Sequence, residues 1–177
     1  MEPTASLTLE NIWIYLQSIA ADPANPARVM TLANADQHGQ PQVRSVILRE
    51  VEPWALTIYT DSRSPKVVQL THDSRAQLLL WDAQRRWQLR CSAQSELIND
   101  TARLDRLWQR ISATPAAQDY LGPQAPGTPV DGVGQARTEP ALAILRFRVT
   151  EVDWLALDRA GHSRQRLTPT RVQALVP

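Results

Sequence analysis

A mainly β fold, an antiparallel barrel closed or nearly closed on itself with a few flanking helices, is what this sequence predicts. Many short β-rich runs are separated by turn residues, few stretches have helical periodicity, and glycine is scarce at 6 of 177 residues. The order of these runs is not the alternating strand–helix pattern of a doubly wound sheet. A chain of 177 residues suits one domain spanning 1–177, with one core.

The elements follow in order. Residues 7–21 carry Leu9, Ile12, Trp13, Leu16 and Ile19 at helical spacing, which predicts an amphipathic helix ended by Asp22-Pro23 and Asn25-Pro26. Arg28–Ala33, Gln42–Glu50 and Ala55–Thr60 read as strands, with Ala35 to Gln40 as a hairpin turn and Glu52-Pro53 as the next turn. Ser64-Pro65 opens a short helix, Ser as N-cap and Pro at the first helical position. Ala76–Trp81 and Trp87–Leu97 read as paired strands. Asn99-Asp100 opens a helix with Leu104, Leu107, Trp108 and Ile111 along one side. Residues 113–140, rich in Ala, Pro, Gly, Thr and Gln, read as a long loop. Ala141–Thr150, Trp154–Leu157 and Arg164–Leu167 finish the sheet.

Composition narrows the function classes. A formal net charge of +1, from 19 basic and 18 acidic residues, argues against a nucleic-acid binder. No apolar run approaches the ~20 residues of a membrane helix. The start MEPTASLTLENIW lacks a secretory pattern, so a cytoplasmic protein is expected. The single cysteine, Cys91, excludes an internal disulfide, and no Cys/His spacing suggests a metal. Gly132-Val133-Gly134 follows no strand and lacks a third glycine, which speaks against a Rossmann site. Walker A and nucleophile-elbow motifs are absent from the sequence.

The chemistry concentrates in Arg44-Ser45-Val46-Ile47-Leu48-Arg49 and Ile58-Tyr59-Thr60-Asp61-Ser62-Arg63-Ser64-Pro65-Lys66. Cations on a strand, followed by a hydroxyl-rich turn at a helix start, supply what a phosphate group needs: charge-assisted donors, hydroxyls and free backbone N–H groups. The plainer reading is solvent-facing arginines and an ordinary Ser-Pro cap. Arg44 and Arg49 are five residues apart, so a regular strand points them to opposite faces. One ligand reaches both only by wrapping the strand end or where a bulge rephases the strand.

The run R-S-V-I-L-R followed by Y-T-D-S-R-S-P-K-V-V-Q-L resembles the FMN-binding core of the pyridoxamine 5'-phosphate oxidase family, nearest its bacterial general FMN-binding oxidase-like members. The likeness extends through Leu80-Trp81, Gln88-Leu89-Arg90 and Val152-Asp153-Trp154 to Arg164. It implies an FMN-binding split β-barrel of antiparallel Greek-key type, and a homodimer with FMN at the subunit interface. By resemblance, Arg44 and Lys66 would hold the FMN phosphate, with Ser64 and Arg63 nearby. Ile47, Leu48 and Arg49 would line the flavin, Tyr59 and Thr60 the ribityl–phosphate end, and Gln88 the polar ring edge. Trp154 and Arg164 would come from the C-terminal strands, of either subunit; for Trp154 the competing reading is core packing.

The chain also departs from the family. Pro65 stands where an Arg usually precedes the motif Lys, with Arg63 as a compensating candidate. The 113–140 loop is shorter than in the oxidases and lacks their Gln-Ser pair, for which Gln124 is the candidate substitute. At the positions of the oxidases' substrate-binding Lys, Tyr, Arg, Ser and Arg-x-His stand Arg49, Arg106, Arg110, Thr114, Ala160 and His162. Arg110, Thr114 and His162 are therefore the substrate-binding candidates, and Arg49 and His162 the catalytic ones. The losses imply a natural substrate other than pyridoxamine 5'-phosphate. Three readings stay open: an FMN-dependent oxidase or reductase using a small substrate or NAD(P)H, a non-catalytic flavin carrier or sensor, and a barrel for another phosphate ligand.

Overall fold

The computed structural model describes residues 8–130 and 134–177. Residue 7 of the expected first helix, and Gly132 and Val133 of the glycine pair, lie outside them. Helix α1 (Leu9–Ala21) starts at Thr8, whose hydroxyl accepts from the Asn11 amide at 3.1 Å. Its Ile12, Trp13, Leu16 and Ile19 are buried in the main core. A single 3-10 turn at Pro26–Arg28, capped by Asn25, leads into β1 (Val29–Ala35). β1 pairs antiparallel with β2 (Pro41–Ile47) around a tight turn, where the Asp36 carboxylate accepts from the His38 and Gln40 amides. Gly39 sits there at φ 78°, a conformation that costs glycine nothing.

The expected strand 42–50 is interrupted. The Leu48 amide bonds to Arg28 beside β1, whereas the Arg49 amide bonds to Thr57. The chain then enters β3 (Glu50–Glu52), which pairs with β4 (Ala55–Asp61). The backbone thus changes partner between two consecutive residues.

Helix α2 (Pro65–His72) follows, then β5 (Arg75–Asp82), β6 (Trp87–Leu97) and α3 (Thr101–Ser112). On α3 only Leu107 of the expected apolar face is fully buried; Leu104, Trp108 and Ile111 are partly covered. The 113–140 segment is not wholly loop. It holds a 3-10 turn at Pro115–Ala117 and α4 (Gln118–Leu121), whose Tyr120 is buried. Four residues are too few for a sequence period to reveal.

The expected strands 141–150 and 154–157 are one strand, β7 (Leu142–Ala156). Its register against β6 shifts where Ser92 faces Glu151 and Ala93 faces Val149, leaving Thr150 as an extra residue. Before this bulge the odd-numbered Ala143, Leu145, Phe147 and Val149 are buried; after it, the even-numbered Val152, Trp154 and Ala156 are. A bulge changes the parity of a strand in this way, and the resulting break in alternation made one strand read as two. Nor does the sheet end at residue 167. After β8 (Ser163–Thr168) comes β9 (Arg171–Leu175), mostly exposed and therefore without an apolar pattern to find.

Among the described residues the hydrogen-bonded order is β2-β1-β5-β6-β7-β4-β3, with β8 on β7 and β9 on β8. All pairings are antiparallel. β2 and β3 terminate this path yet are joined by Leu48-Arg49 alone, so the sheet curls until its margins meet. They meet through the chain and not through a ladder. The barrel is split along this seam, and its sheet is not closed. No helix among the described residues is long and apolar enough to cross a membrane.

Asp153 anchors the outer face of β7. It accepts from Arg164 at 2.9 and 2.7 Å and also from Arg90. The Arg164 bonds first, then Arg90, hold its carboxyl below the ordinary 3.8 against the opposing effect of burial. A depressed folded-state pKa contributes stability above the unfolded value, and that stability is lost as pH falls through the folded value. Asp153→Asn is therefore expected to lower the melting temperature at neutral pH, with the gap to the unaltered protein closing below pH 3.8. Thermal melts across an acid series check this; a constant gap would contradict it.

Candidate functional site

Two groups of residues gather on either side of β4. Residues alternate along a strand, so Thr60 and Tyr59 face opposite ways. The first group surrounds Thr60. Lys66, in the first turn of α2, donates from Nζ to Thr60 Oγ1 at 2.9 Å and to Ser64 Oγ at 3.1 Å. Ser64 is the N-cap by position, but its hydroxyl donates to the Asp61 carbonyl at 2.7 Å and leaves the helix start without a side-chain cap.

Arg44 stands in register with the fully buried Leu32. It donates to Asn34 Oδ1 and, at 3.0 Å, to Gln69 Oε1. Its neighbours are thus neutral amides, and those of Lys66 are hydroxyls. Among the described residues neither cation makes an ion pair. Burial, then the nearby Arg44 charge, holds the Lys66 ammonium below its ordinary pKa, and burial lowers that of Arg44. Asp61 offsets the Lys66 shift only in part, and two desolvated cations whose hydrogen-bond partners are all neutral favour an incoming anion, which would relieve both shifts.

Arg63 is otherwise engaged. Its guanidinium grips Asp61 at 2.6 Å and donates to the Gly122 carbonyl at 3.0 Å, tying the loop after α4 to the β4–α2 turn. In this arrangement it braces the site.

The second group lines a cleft of about 270 Å³ between β4 and α3, formed by Arg49, Tyr59, Leu107, Arg110, Thr114 and Tyr120 among others. The Arg49 guanidinium lies over the Tyr59 ring, 5.8 Å from its centroid, and its Nε is buried with no acceptor. The Tyr59 hydroxyl donates to Glu50, which also binds Arg103 at 2.6 Å. Burial and Glu50 push the Tyr59 pKa up to about 12, so the phenol keeps its proton at neutral pH. Arg44 and Arg49 face apart, with Leu48, fully buried, between them at the seam. Ile47 ends β2 beside it.

Gln88, Trp154 and Arg164 lie elsewhere in the chain. Gln88 pairs in register with Leu155, and Leu155 with Arg164, so the three share one face. Trp154 falls on the other face, 1 % exposed, with its ring edge-on to Trp87 at 5.3 Å. His162 is in the exposed β7–β8 turn, where its Nδ1 accepts from the Asp158 amide at 3.2 Å.

Sequence reasoning missed Asn34, Gln69, Glu50 and Tyr120. Gln69 had a findable signal, since it lies three residues after Lys66 on one helix face. Glu50 follows Arg49 directly but carried no motif, and Asn34 and Tyr120 reach the site from distant segments.

The model of the pyridoxamine 5'-phosphate oxidase family matches residues 20–155. Pyridoxine/pyridoxamine 5'-phosphate oxidase of Cyanothece sp. is 37% identical over 76 residues, 43% of this chain and 35% of that protein. The oxidase of Deinococcus deserti is 39% identical over 61 residues, 34% of this chain and 28% of that protein. These matched regions span about a third of the relatives' length. A pyridoxamine 5'-phosphate oxidase-related, FMN binding protein of Nostoc punctiforme superposes with a TM-score of 0.76 at 21% identity, covering 98% of this chain and 99% of that one. PhzG of Burkholderia lata, solved in complex with tetrahydrophenazine-1-carboxylic acid, superposes at 0.75 with 22% identity, covering 99% and 94%.

Proposed function

The chain belongs to the pyridoxamine 5'-phosphate oxidase family, and from that premise we propose that it is an FMN-dependent oxidoreductase acting on a small anionic substrate other than pyridoxamine 5'-phosphate. The observation that carries the reading is the Arg44–Lys66 pair, two part-buried cations whose hydrogen-bond partners are all neutral. The buried, acceptor-less Nε of Arg49 supports it from the other side of the seam. Both features fit a ligand that is anionic at one end and polar further along.

When bound, FMN supplies the redox chemistry. The chain's own residues bind and orient it. Arg44, Lys66, Ser64 and Thr60 hold the phosphate, and Arg63 keeps the turn in shape. Ile47, Leu48 and Arg49 present the seam backbone and one cation to the ring. Arg49 and Tyr59, with Arg110 and Thr114, turn the cleft towards a small anion, and the structural neighbour PhzG was solved with a carboxylic acid, tetrahydrophenazine-1-carboxylic acid. Tyr59 there donates a hydrogen bond as a neutral phenol.

Gln88 and Arg164 reach the same ligand only from a second copy, since their face is opposite to that of Arg44 and they lie three and five strands away from β2 along the sheet. That face also exposes Val29, Val43 and Trp81, an apolar surface suited to a homodimer. With Ala160 in place of a clamp arginine, His162 is the remaining substrate-side candidate from that copy.

The test is a spectrum of the purified protein. We expect visible flavin absorbance, bleached anaerobically by NADH, NADPH or a small donor, from a species that light scattering sizes as a dimer. A folded sample that stays colourless and ignores added FMN removes the reading. A coloured one that no donor reduces leaves a flavin carrier.

A further inference from the structure

Next to the phosphate cluster lies a second cleft of about 420 Å³, lined among others by His38 of the β1–β2 turn, Arg63, and Val68, Gln69 and His72 of α2. Gln69 is the shared wall. Its Oε1 accepts from Arg44 at 3.0 Å and from Asn34 at 3.2 Å, and its other side faces the cleft. The cleft therefore adjoins the cations across a single side chain. Its volume falls within the ~300–1,000 Å³ of small-molecule sites, far more than one phosphate needs.

The chemistry of its walls is specific. Val68 and His72 stand four apart on α2, so they share one face, and Val68 is 64 % exposed there. His38 comes across from the turn. Two imidazoles and an aliphatic side chain make a surface on which a flat heteroaromatic ring packs. Arg63, ion-paired with Asp61, also lines the cleft and directly precedes Ser64 of the cluster. The carboxylate at the rim, Asp36, is committed to the amides of its own turn, which hold its pKa below the ordinary value.

We propose that this cleft takes the adenosine end of a flavin dinucleotide, so that the cluster accepts a phosphodiester as readily as a monoester and the protein binds FAD as well as FMN. The inference rests on the flavin reading above. Arg44 and Lys66 hold the phosphate common to both flavins. The second phosphate passes Arg63, and the adenine packs between His38 and His72 over Val68.

Calorimetric titration of the flavin-free full chain with FMN and with FAD tests this, alongside Val68→Trp, which fills the cleft from an exposed helix position. Expected is an FAD affinity within about tenfold of that for FMN. Val68→Trp should weaken FAD by about tenfold or more and leave FMN within about twofold, which also certifies that the variant is folded. FMN binding with FAD weaker by more than that margin overturns the inference alone. So does a Val68→Trp effect that is smaller, or equal for both flavins. Binding of neither flavin removes the flavin reading itself, and this inference with it.

Discussion

Lys66→Ala weakens FMN binding by about 10- to 100-fold, and Arg44→Ala does the same. A hydrogen bond to a charged group contributes about 1.5–3 kcal/mol, which converts to that range. Lys66 presents its Nζ from a site braced by Thr60 and Ser64, and Arg44 from between Asn34 and Gln69. Neither must break an ion pair to reach a phosphate, so little of the gain is spent on rearrangement.

The same feature separates binding from folding. An ammonium whose pKa is lowered by burial and by a neighbouring cation is a liability in the free protein. Its removal is expected to leave the melting temperature of the flavin-free protein unchanged or higher. Titration by flavin fluorescence, paired with melts of the flavin-free form, reads both quantities. Full FMN affinity in both variants would end the assignment of the phosphate site.

Trp154→Ala has the largest effect on stability. The indole is 1 % exposed, is the cross-strand neighbour of the fully buried Leu89, and packs edge-on to Trp87. Truncating a buried Trp to Ala costs about 3–5 kcal/mol, part lost transfer energy and part cavity. For a chain of this size each kcal/mol moves the melting temperature by about 2–4 °C, so a fall of roughly 6–20 °C is expected. Trp154→Phe fills more of the hole and should lose less than half as much. Family resemblance puts this tryptophan against the flavin, whereas its burial puts it in the core. FMN affinity of Trp154→Phe decides between them: within about twofold of the unaltered protein marks a packing residue, and a loss above about tenfold marks a flavin contact.

How much was readable from the chain differs by element. α1 was legible because Ile12, Trp13, Leu16 and Ile19 bury one face at helical spacing, and the β1–β2 hairpin because Asp36 and Gly39 carry the chemistry of its turn. β9 was hidden because almost none of it is buried, so no alternation is imposed on it. The break at Leu48-Arg49 was invisible for another reason. Both residues lie in a run of strand-forming types, and only the three-dimensional path decides that one bonds towards β1 and the next towards β4. In the site, the cations and hydroxyls could be read from their spacing, but the amides that hold Arg44 could not. Asn34 and Gln69 are ordinary residues until the fold carries a strand and a helix to either side of the guanidinium. That Arg63 is bound to Asp61 follows from a two-residue spacing, but its hold on the Gly122 carbonyl depends on where a distant loop returns.

The extra residue at Thr150 sets an arithmetic rule for this chain and for anything aligned to it. Phe147 and Trp154 are an odd number of positions apart, yet both point inward, because one residue between them is not counted by the partner strand. Delete that residue and the ladder merely becomes regular, with both rings still inward; lose instead one residue that the partner strand does count and everything after it inverts, driving Asp153 into the interior and Trp154 out of it. A single-residue gap at Thr150 therefore keeps every later residue on its face, whereas a single gap elsewhere between these two positions, with the bulge retained, misplaces the rest of β7 and the strands that follow.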